Sequence, residues 1–291
     1  MRSKLFVPSS RPELFMKAMR SQADAISFDL EDAVLPDRKS YAREQLIDFL
    51  GTDDYKAVKE SSKKIVIVRI NPLDSTYAMS DLQAVCRDGV DIVNIPKINS
   101  SVDVHDAVQC IKKERDRNGC HSEIKILANI ETPTALQNAA EIGAAHPGVW
   151  GLQLGLGDMF EPFNIDRNNH LNLHAILFTL RMAAATSGAI VYDGAYTNVG
   201  NPEGFRAEAL TSKCLGYLGK TCIHPSQVAI ANEVFQPSSQ EIDWALKVIQ
   251  ATRANHLNGA FLLDGKMIDA PFVLRAETIV NTAERLGLLG R

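Results

Sequence analysis

EIKILANIETPTALQNAAEIGAAHPGVWGLQLGLGD, residues 123–158, decides the fold. An apolar, β-prone run, EIKILANI (123–130), ends against a carboxylate, Glu131. TPTALQNAAEIG then reads as a helix, with a proline in its first turn, where the missing N–H has no helical partner to lose. A second apolar run, WGLQLGLG (150–157), leads to another carboxylate, Asp158. Strand, helix and strand in this order form a βαβ unit, with the strands parallel and both acids at the same carboxyl end of the sheet.

The alternation continues in both directions. KLFVPS (4–9), AISFDL (25–30), KIVIVRI (64–70) and DIVNIPK (91–97) precede the unit, and AIVYDG (189–194) and YLGKTCIH (217–224) follow it. Helix-like stretches such as RPELFMKAMRS, VDVHDAVQCIKKERD, HAILFTLRMAAATS and NPEGFRAEALTSK lie between them. Eight βα repeats predict a TIM (β/α)8 barrel, a fold that needs roughly 250 residues. An open doubly wound sheet is the alternative, but no GxGxxG follows the first strand. After residue 236 the pattern changes to a capped helix (QPSSQEIDWALKVIQATRAN), a hairpin around Asp264-Gly265 and a final helix. The expected division is a catalytic barrel over 1–236 and a helix–hairpin–helix extension over 237–291 that serves as a lid or in oligomerisation.

The totals exclude several classes. With 45% hydrophobic and 23% charged residues the chain can bury a substantial core. Its net charge of −4 and lack of a basic block argue against nucleic acid as a partner, while a small polyanionic ligand remains open. MRSKLFVPSSRPELF has no signal-peptide core, and no run approaches the ~20 apolar residues of a membrane span, so a cytoplasmic location is expected. Five cysteines with no CxxC pair predict reduced, mostly buried thiols.

A barrel's chemistry sits at the carboxyl ends of its strands. Asp29, Glu31, Asp32, Arg69, Lys97, Glu131, Asp158 and Asp193 all fall there and are expected to face one mouth. So many carboxylates need a cation. Glu131 and Asp158, on neighbouring strands, can hold one hard divalent ion, with the spare positions left to water and substrate oxygens. The competing reading is that each caps the helix after it. Arg69 interrupts an apolar strand, either as a structural partner for DLED or as a charged fork for an enolate or carboxylate. Gly157, beside Asp158, lets backbone approach a ligand closely, and Met159 opens the distinctive loop MFEPFNIDRNNHLN (159–172). Ser9, Ser10 and Arg11 can offer donors to an anion or cap the first helix. His224 is read as structural. Asp269 either caps the last helix or, if the tail is a lid, arrives at the site as a general base.

KLFVPSSRPELFMKA, ADAISFDLEDAV, RKSYAR, VRIN, IPK, ETP, GLGD, CIHPSQ and GAFLLDGKMIDAP together resemble the citrate lyase β-subunit-like family, which includes malyl-CoA and citramalyl-CoA lyases. The resemblance spans nearly the whole chain in the right order. It implies a homotrimeric or homohexameric TIM barrel that binds Mg2+, or Mn2+, through Glu131 and Asp158. It further implies that Arg69 contacts the reacting oxygens, that Glu31 and Asp32 support the site, and that Asp269 is an acid/base reaching a neighbouring subunit. The activity implied is carbon–carbon cleavage or condensation of a 3-hydroxyacyl-CoA, giving acetyl-CoA or another acyl-CoA and a 2-oxo acid, an oxo-acid lyase. Two alternatives stay open: a citrate lyase β subunit acting on a carrier-bound citryl thioester, and a malate-synthase-like condensation with thioester hydrolysis. Arg11, Gly157 and Met159 are candidates for substrate contact, and Lys39 and Arg43 for the CoA phosphates.

Overall fold

The structure, a computed structural model, describes residues 1–254 and 259–289. Eight parallel strands close into a barrel in chain order: β1 (Ser3–Pro8), β2 (Ala25–Asp29), β3 (Ile65–Arg69), β4 (Ile92–Ile95), β5 (Lys125–Ile130), β6 (Val149–Leu154), β7 (Ile190–Ala195) and β8 (Lys220–Cys222). Each predicted run supplies one strand. β8 is shorter than its run, and just before it Gly219 lies so close to the start of β1 that a Cβ there would be 2.3 Å from the Met1 carbonyl oxygen.

Strand register decides which side chains enter the barrel. Lys4 of β1 hydrogen-bonds Gln153 of β6, three strands away around the ring, so both point inward. Pairing Pro8↔Asp29, Asp29↔Arg69 and Arg69↔Asn94 carries the inward face to the mouth. Asn129↔Gln153 and Gln153↔Tyr192 do the same for β5, β6 and β7. Met1, Ala25, Ile67, Ile92, Leu127 and Tyr192 fill the floor with apolar bulk. Above them lies a polar layer that includes Lys4, Asn94, Asn129 and Gln153, all buried.

The polar stretch before β3 folds into the helix Asp53–Ser62, capped by Thr52, whose hydroxyl accepts from the Tyr55 N–H at 3.2 Å. The buried Tyr55 ring packs against Phe49, and its hydroxyl donates to the Gly89 carbonyl at 2.6 Å.

The chain divides into two compact units, Met1–Val234 and Phe235–Arg291. In the second, helices Ser239–Ala254 and Ala270–Arg285 flank a hairpin of β9 (Phe261–Leu263) and β10 (Lys266–Ile268). Asp264 and Gly265, with φ of 48° and 76°, make its turn in the left-handed region. Ala245, Val248, Ile268, Ala276 and Val280 give this unit a core of its own. Among the described residues no helix is long and apolar enough to cross a membrane. All five cysteines are free thiols, but only Cys86 and Cys222 are buried, fewer than expected.

Candidate active site

Arg69 is the hub of the mouth. Its Nε and Nη2 each lie 2.7 Å from an oxygen of Asp29, a bidentate pair that fixes the guanidinium plane. Its Nη1 lies 2.8 Å from Glu31 Oε2, off the line of a good hydrogen bond, and 3.4 Å from Asp32. The Phe6 ring sits beneath, 4.8 Å from the guanidinium carbon. Burial opposes the charge on Arg69, yet Asp29, Glu31 and Asp32 outweigh it and raise its pKa. Burial also opposes ionisation of Asp29, but Arg69 holds that carboxylate below its usual range. Glu31 differs: burial, with repulsion from Asp32, Glu131 and Asp29, pushes its carboxyl up to about 8 in spite of Arg69. Arg69 is therefore both the partner of DLED and a fixed cation at the mouth.

Glu131 does not cap the helix that follows. Thr132 does, accepting from the Ala135 N–H at 3.0 Å. The Glu131 side chain instead turns into the mouth, 4% exposed, where Oε1 accepts the Lys97 backbone N–H at 2.7 Å and Oε2 the Asn129 amide at 3.4 Å. Lys97 has the left-handed φ of 54° that aims this N–H. Neither donor brings a full charge. Burial and the neighbouring Asp158 carboxylate push the Glu131 carboxyl up to about 7. Asp158, exposed, lies in the first turn of the short helix Leu156–Phe160 and makes no cap bond either. Gly155 lets β6 approach: a Cβ there would lie 2.5 Å from Glu131 Cβ and 2.6 Å from Oε2. Two hard carboxylates, one buried and poorly neutralised, suit a divalent cation that completes its shell with water and substrate oxygens. Among the described residues no third His, Cys, Asp or Glu joins them as a ready-made cage.

The structure thus brings Arg69, Glu31, Asp32, Glu131 and Asp158 into one electrostatic cluster. Gly157 is exposed beside Asp158, whereas Met159 is buried at 3%. Arg11 is exposed and paired with Glu13 at 2.9 Å. Neither serine caps the first turn, and Ser9 Oγ is buried at the mouth end of β1 without a hydrogen bond. Lys39 is buried, donating to the Leu30 and Glu31 carbonyls at 2.8 and 3.0 Å, so it braces the acidic loop from behind. Arg43 bonds the buried Asp81 at 2.9 Å, which in turn accepts from the Asn71 backbone N–H at 2.9 Å. Asp269, in the second unit, occupies the N-cap position of Ala270–Arg285 but makes no side-chain cap bond, and its Oδ1 is buried without a partner.

Asp193 corrects the expectation that every strand-end charge faces the mouth. It follows the inward Tyr192, so the two-residue period of a strand sends it outward to Lys220 at 2.6 Å and Ser212 at 2.5 Å. His224 bonds locally, as a structural residue does: its Nδ1 lies 3.2 Å from the Ser226 backbone N and 2.8 Å from Ser226 Oγ. Sequence reasoning passed over Lys4, Asn94, Asn129 and Gln153, although each interrupts an apolar strand at an inward position. Lys4 is fully buried, and burial together with the nearby Arg69 holds its pKa well below the usual lysine value.

Comparison with known proteins gives the chain a family and a fold. The chain is 35% identical to a (3S)-malyl-CoA thioesterase of Cereibacter sphaeroides, over 99% of its own length and 96% of the relative's. It is also 35% identical to the citrate lyase β subunit of Haemophilus influenzae, over 97% of each chain. The structure of CitE from Mycobacterium tuberculosis with magnesium, acetoacetate and coenzyme A superposes with a TM-score of 0.74 at 28% identity, covering 98% of this chain and 100% of that one. Residues 2–225 match the HpcH/HpaI aldolase/citrate lyase family, and the chain belongs to it.

Proposed function

We propose that this chain is a Mg2+-dependent carbon–carbon lyase that cleaves a 3-hydroxyacyl-CoA of the malyl-CoA or citramalyl-CoA class into acetyl-CoA, or another acyl-CoA, and a 2-oxo acid. The observation that carries the reading is Glu131, a buried carboxylate beside Asp158 whose donors bring no compensating charge. Glu131 and Asp158 would hold the ion. When bound, it supplies Lewis acidity and a fixed positive charge for the carbonyl and carboxylate of the 2-oxo acid. The M. tuberculosis relative, complexed with magnesium and coenzyme A, supports both the ion and the thioester.

The chain's own residues account for the rest. Arg69, immobilised by Asp29, presents its Nη1 edge toward negative charge that develops on the reacting oxygens. The C3 hydroxyl loses its proton, the C2–C3 bond breaks, and the electron pair stays on the thioester fragment as an enolate. Asp269 returns a proton to C2 of that fragment. Its Oδ1 is free of protein partners, and the residue lines a 680 Å³ cleft in the C-terminal unit with Phe261, Pro271 and Leu274. We assign that role to Asp269 from a second copy of the chain, in a cytoplasmic homotrimer or homohexamer.

Thioester hydrolysis after condensation is a second reading, favoured by the malyl-CoA thioesterase relative. A carrier-bound citryl thioester is the third, favoured by the citrate lyase β subunit. One assay separates them. The protein is incubated with Mg2+ or EDTA and the free CoA thioesters of malate, methylmalate, citramalate and citrate, and 2-oxo acid, acyl-CoA and free thiol are recorded. Metal-dependent release of 2-oxo acid and acyl-CoA from one thioester, lost in Asp158→Asn, is the expected result. Release of free thiol selects the hydrolase. Silence without a carrier protein counts against the lyase on free CoA esters.

A further inference from the structure

We infer that Arg167 is a positioning residue for the metal-bearing turn, holding the loop after Asp158 against a buried ionic post so that Asp158 stays beside Glu131. The inference rests on the metal reading proposed above and adds to it what keeps the second ligand in place.

Asp158 begins a chain segment that leaves β6, passes the 3-10 turn Glu161–Phe163 and a left-handed Asn164 with φ of 54°, and enters the helix His170–Ser187. Asp166, Asn168, Asn169 and Asn172 bond locally. Asp166 accepts from the Asn168 N–H at 2.9 Å, Asn169 accepts from the Leu171 N–H at 3.0 Å, and Asn172 donates to the Asp166 carbonyl at 3.0 Å. Arg167 reaches out of the segment. Its Nη2 lies 2.6 Å from the Ala195 carbonyl at the end of β7 and 2.6 Å from Glu208 Oε1, and its Nε lies 3.3 Å from Glu208 Oε2. The Tyr196 ring lies 5.7 Å from the guanidinium carbon.

What Arg167 grips is rigid. Glu208 accepts from Lys220 Nζ at 2.6 Å, and Lys220 donates to Asp193 Oδ2 at 2.6 Å and to the Gly194 carbonyl at 3.2 Å. Lys220, Asp193 and Ser212 are completely buried and Glu208 is 6% exposed. Two cations balance two carboxylates in this post. Removing Arg167 leaves a buried negative charge in excess, and such networks lose disproportionately when one member goes.

The other end of the segment is gripped as well. A Cβ at Gly194 would lie 2.6 Å from the Leu154 carbonyl oxygen, so the end of β7 presses on the residues that lead into the Asp158 turn. Gly194 and Arg167 therefore bracket Asp158, one before it and one after, and both are tied to Lys220.

A purely structural role for Arg167 makes a different prediction, so the test reads metal affinity as well as stability. Mn2+ binding is followed by water-proton relaxation in wild type, Arg167→Met and Arg167→Lys, with melting temperature and with kcat and KM on the active thioester. Asp158→Asn reports whether the ion sits at the proposed ligands. Arg206→Met, on the helix Pro202–Cys214 that also carries Glu208, removes a surface pair with Glu233 and is the control. We expect Arg167→Met to weaken Mn2+ binding roughly tenfold and to raise KM, as loss of a residue that orients a metal ligand does. Arg167→Lys should fall between, since one ammonium cannot reproduce the fork to Glu208, and Arg206→Met should match wild type in Mn2+ affinity. Wild-type affinity and KM in Arg167→Met, or in Arg167→Lys if the first variant fails to fold, overturn the inference while leaving the metal reading intact. Mn2+ binding that ignores Asp158→Asn overturns both.

Discussion

Glu31 and Glu131 concentrate the conflict that defines the mouth, since burial and like charge push their carboxyls from the usual 4.5 up to about 8 and about 7. A carboxyl whose pKa is higher in the folded chain keeps its proton there while the unfolded chain loses it first, near 4.5. Stability therefore declines from that point and stops declining once the folded groups ionise. The metal-free protein should melt at progressively lower temperature between pH 5 and about pH 8, and Mg2+ should flatten the part due to Glu131. Scanning fluorimetry across that range, with EDTA and with Mg2+, checks this, and a melting temperature that rises with pH would sink the account of the mouth. At this scale the sequence was legible where a charge ended an apolar run: Glu131, Asp158 and Arg69 all stood out. It was not legible where the outcome depended on a partner distant in sequence. Lys39 and Arg43, read from the sequence as candidates for the CoA phosphates, are held by the Leu30 and Glu31 carbonyls and by the buried Asp81, partners that the sequence does not reveal.

Between elements, the active geometry depends on strand ends that approach more closely than side chains allow. Gly155 brings the end of β6 onto Glu131, where a Cβ would lie 2.5 Å from Glu131 Cβ, and neither the strand end nor a carboxylate already fixed by the Lys97 N–H can readily yield. Gly155→Ala should therefore cost about 1–3 kcal/mol of stability, the usual range for overpacking. It should also weaken divalent-metal binding by displacing Glu131, which calorimetric titration with Mg2+ would show. A variant with unchanged metal affinity would mean that the strand end relaxes away from the acid. All eight apolar runs became strands because a short, β-prone apolar run is a local signal. The polar stretch before β3, for which the sequence offered no such pattern, is a helix because Thr52 caps it and Tyr55 anchors it. Asp193 was misplaced because position along a strand does not reveal which face it occupies until the register with β6 and β8 is known.

At the scale of the whole molecule, the barrel holds the metal-ligand candidates and the C-terminal unit holds Asp269, in two compact units each with a hydrophobic core. If Asp269 serves the site of a neighbouring copy, catalysis needs a barrel with an intact Asp158 and a tail with an intact Asp269, and these can come from different chains. Asp158→Asn and Asp269→Asn should each be nearly inactive alone. Equal amounts of the two, unfolded and refolded together, should then recover about a quarter of wild-type activity, because random assembly in a closed ring gives each site a half chance of the intact barrel and a half chance of the intact tail. Mixing without exchange of subunits should recover nothing. A mixture that stays inactive after refolding, in assemblies shown by mass to contain both variants, would mean that each tail serves its own barrel. Activity in Asp269→Asn alone would remove this residue from the chemistry and leave Arg69 and the groups around it to manage the proton.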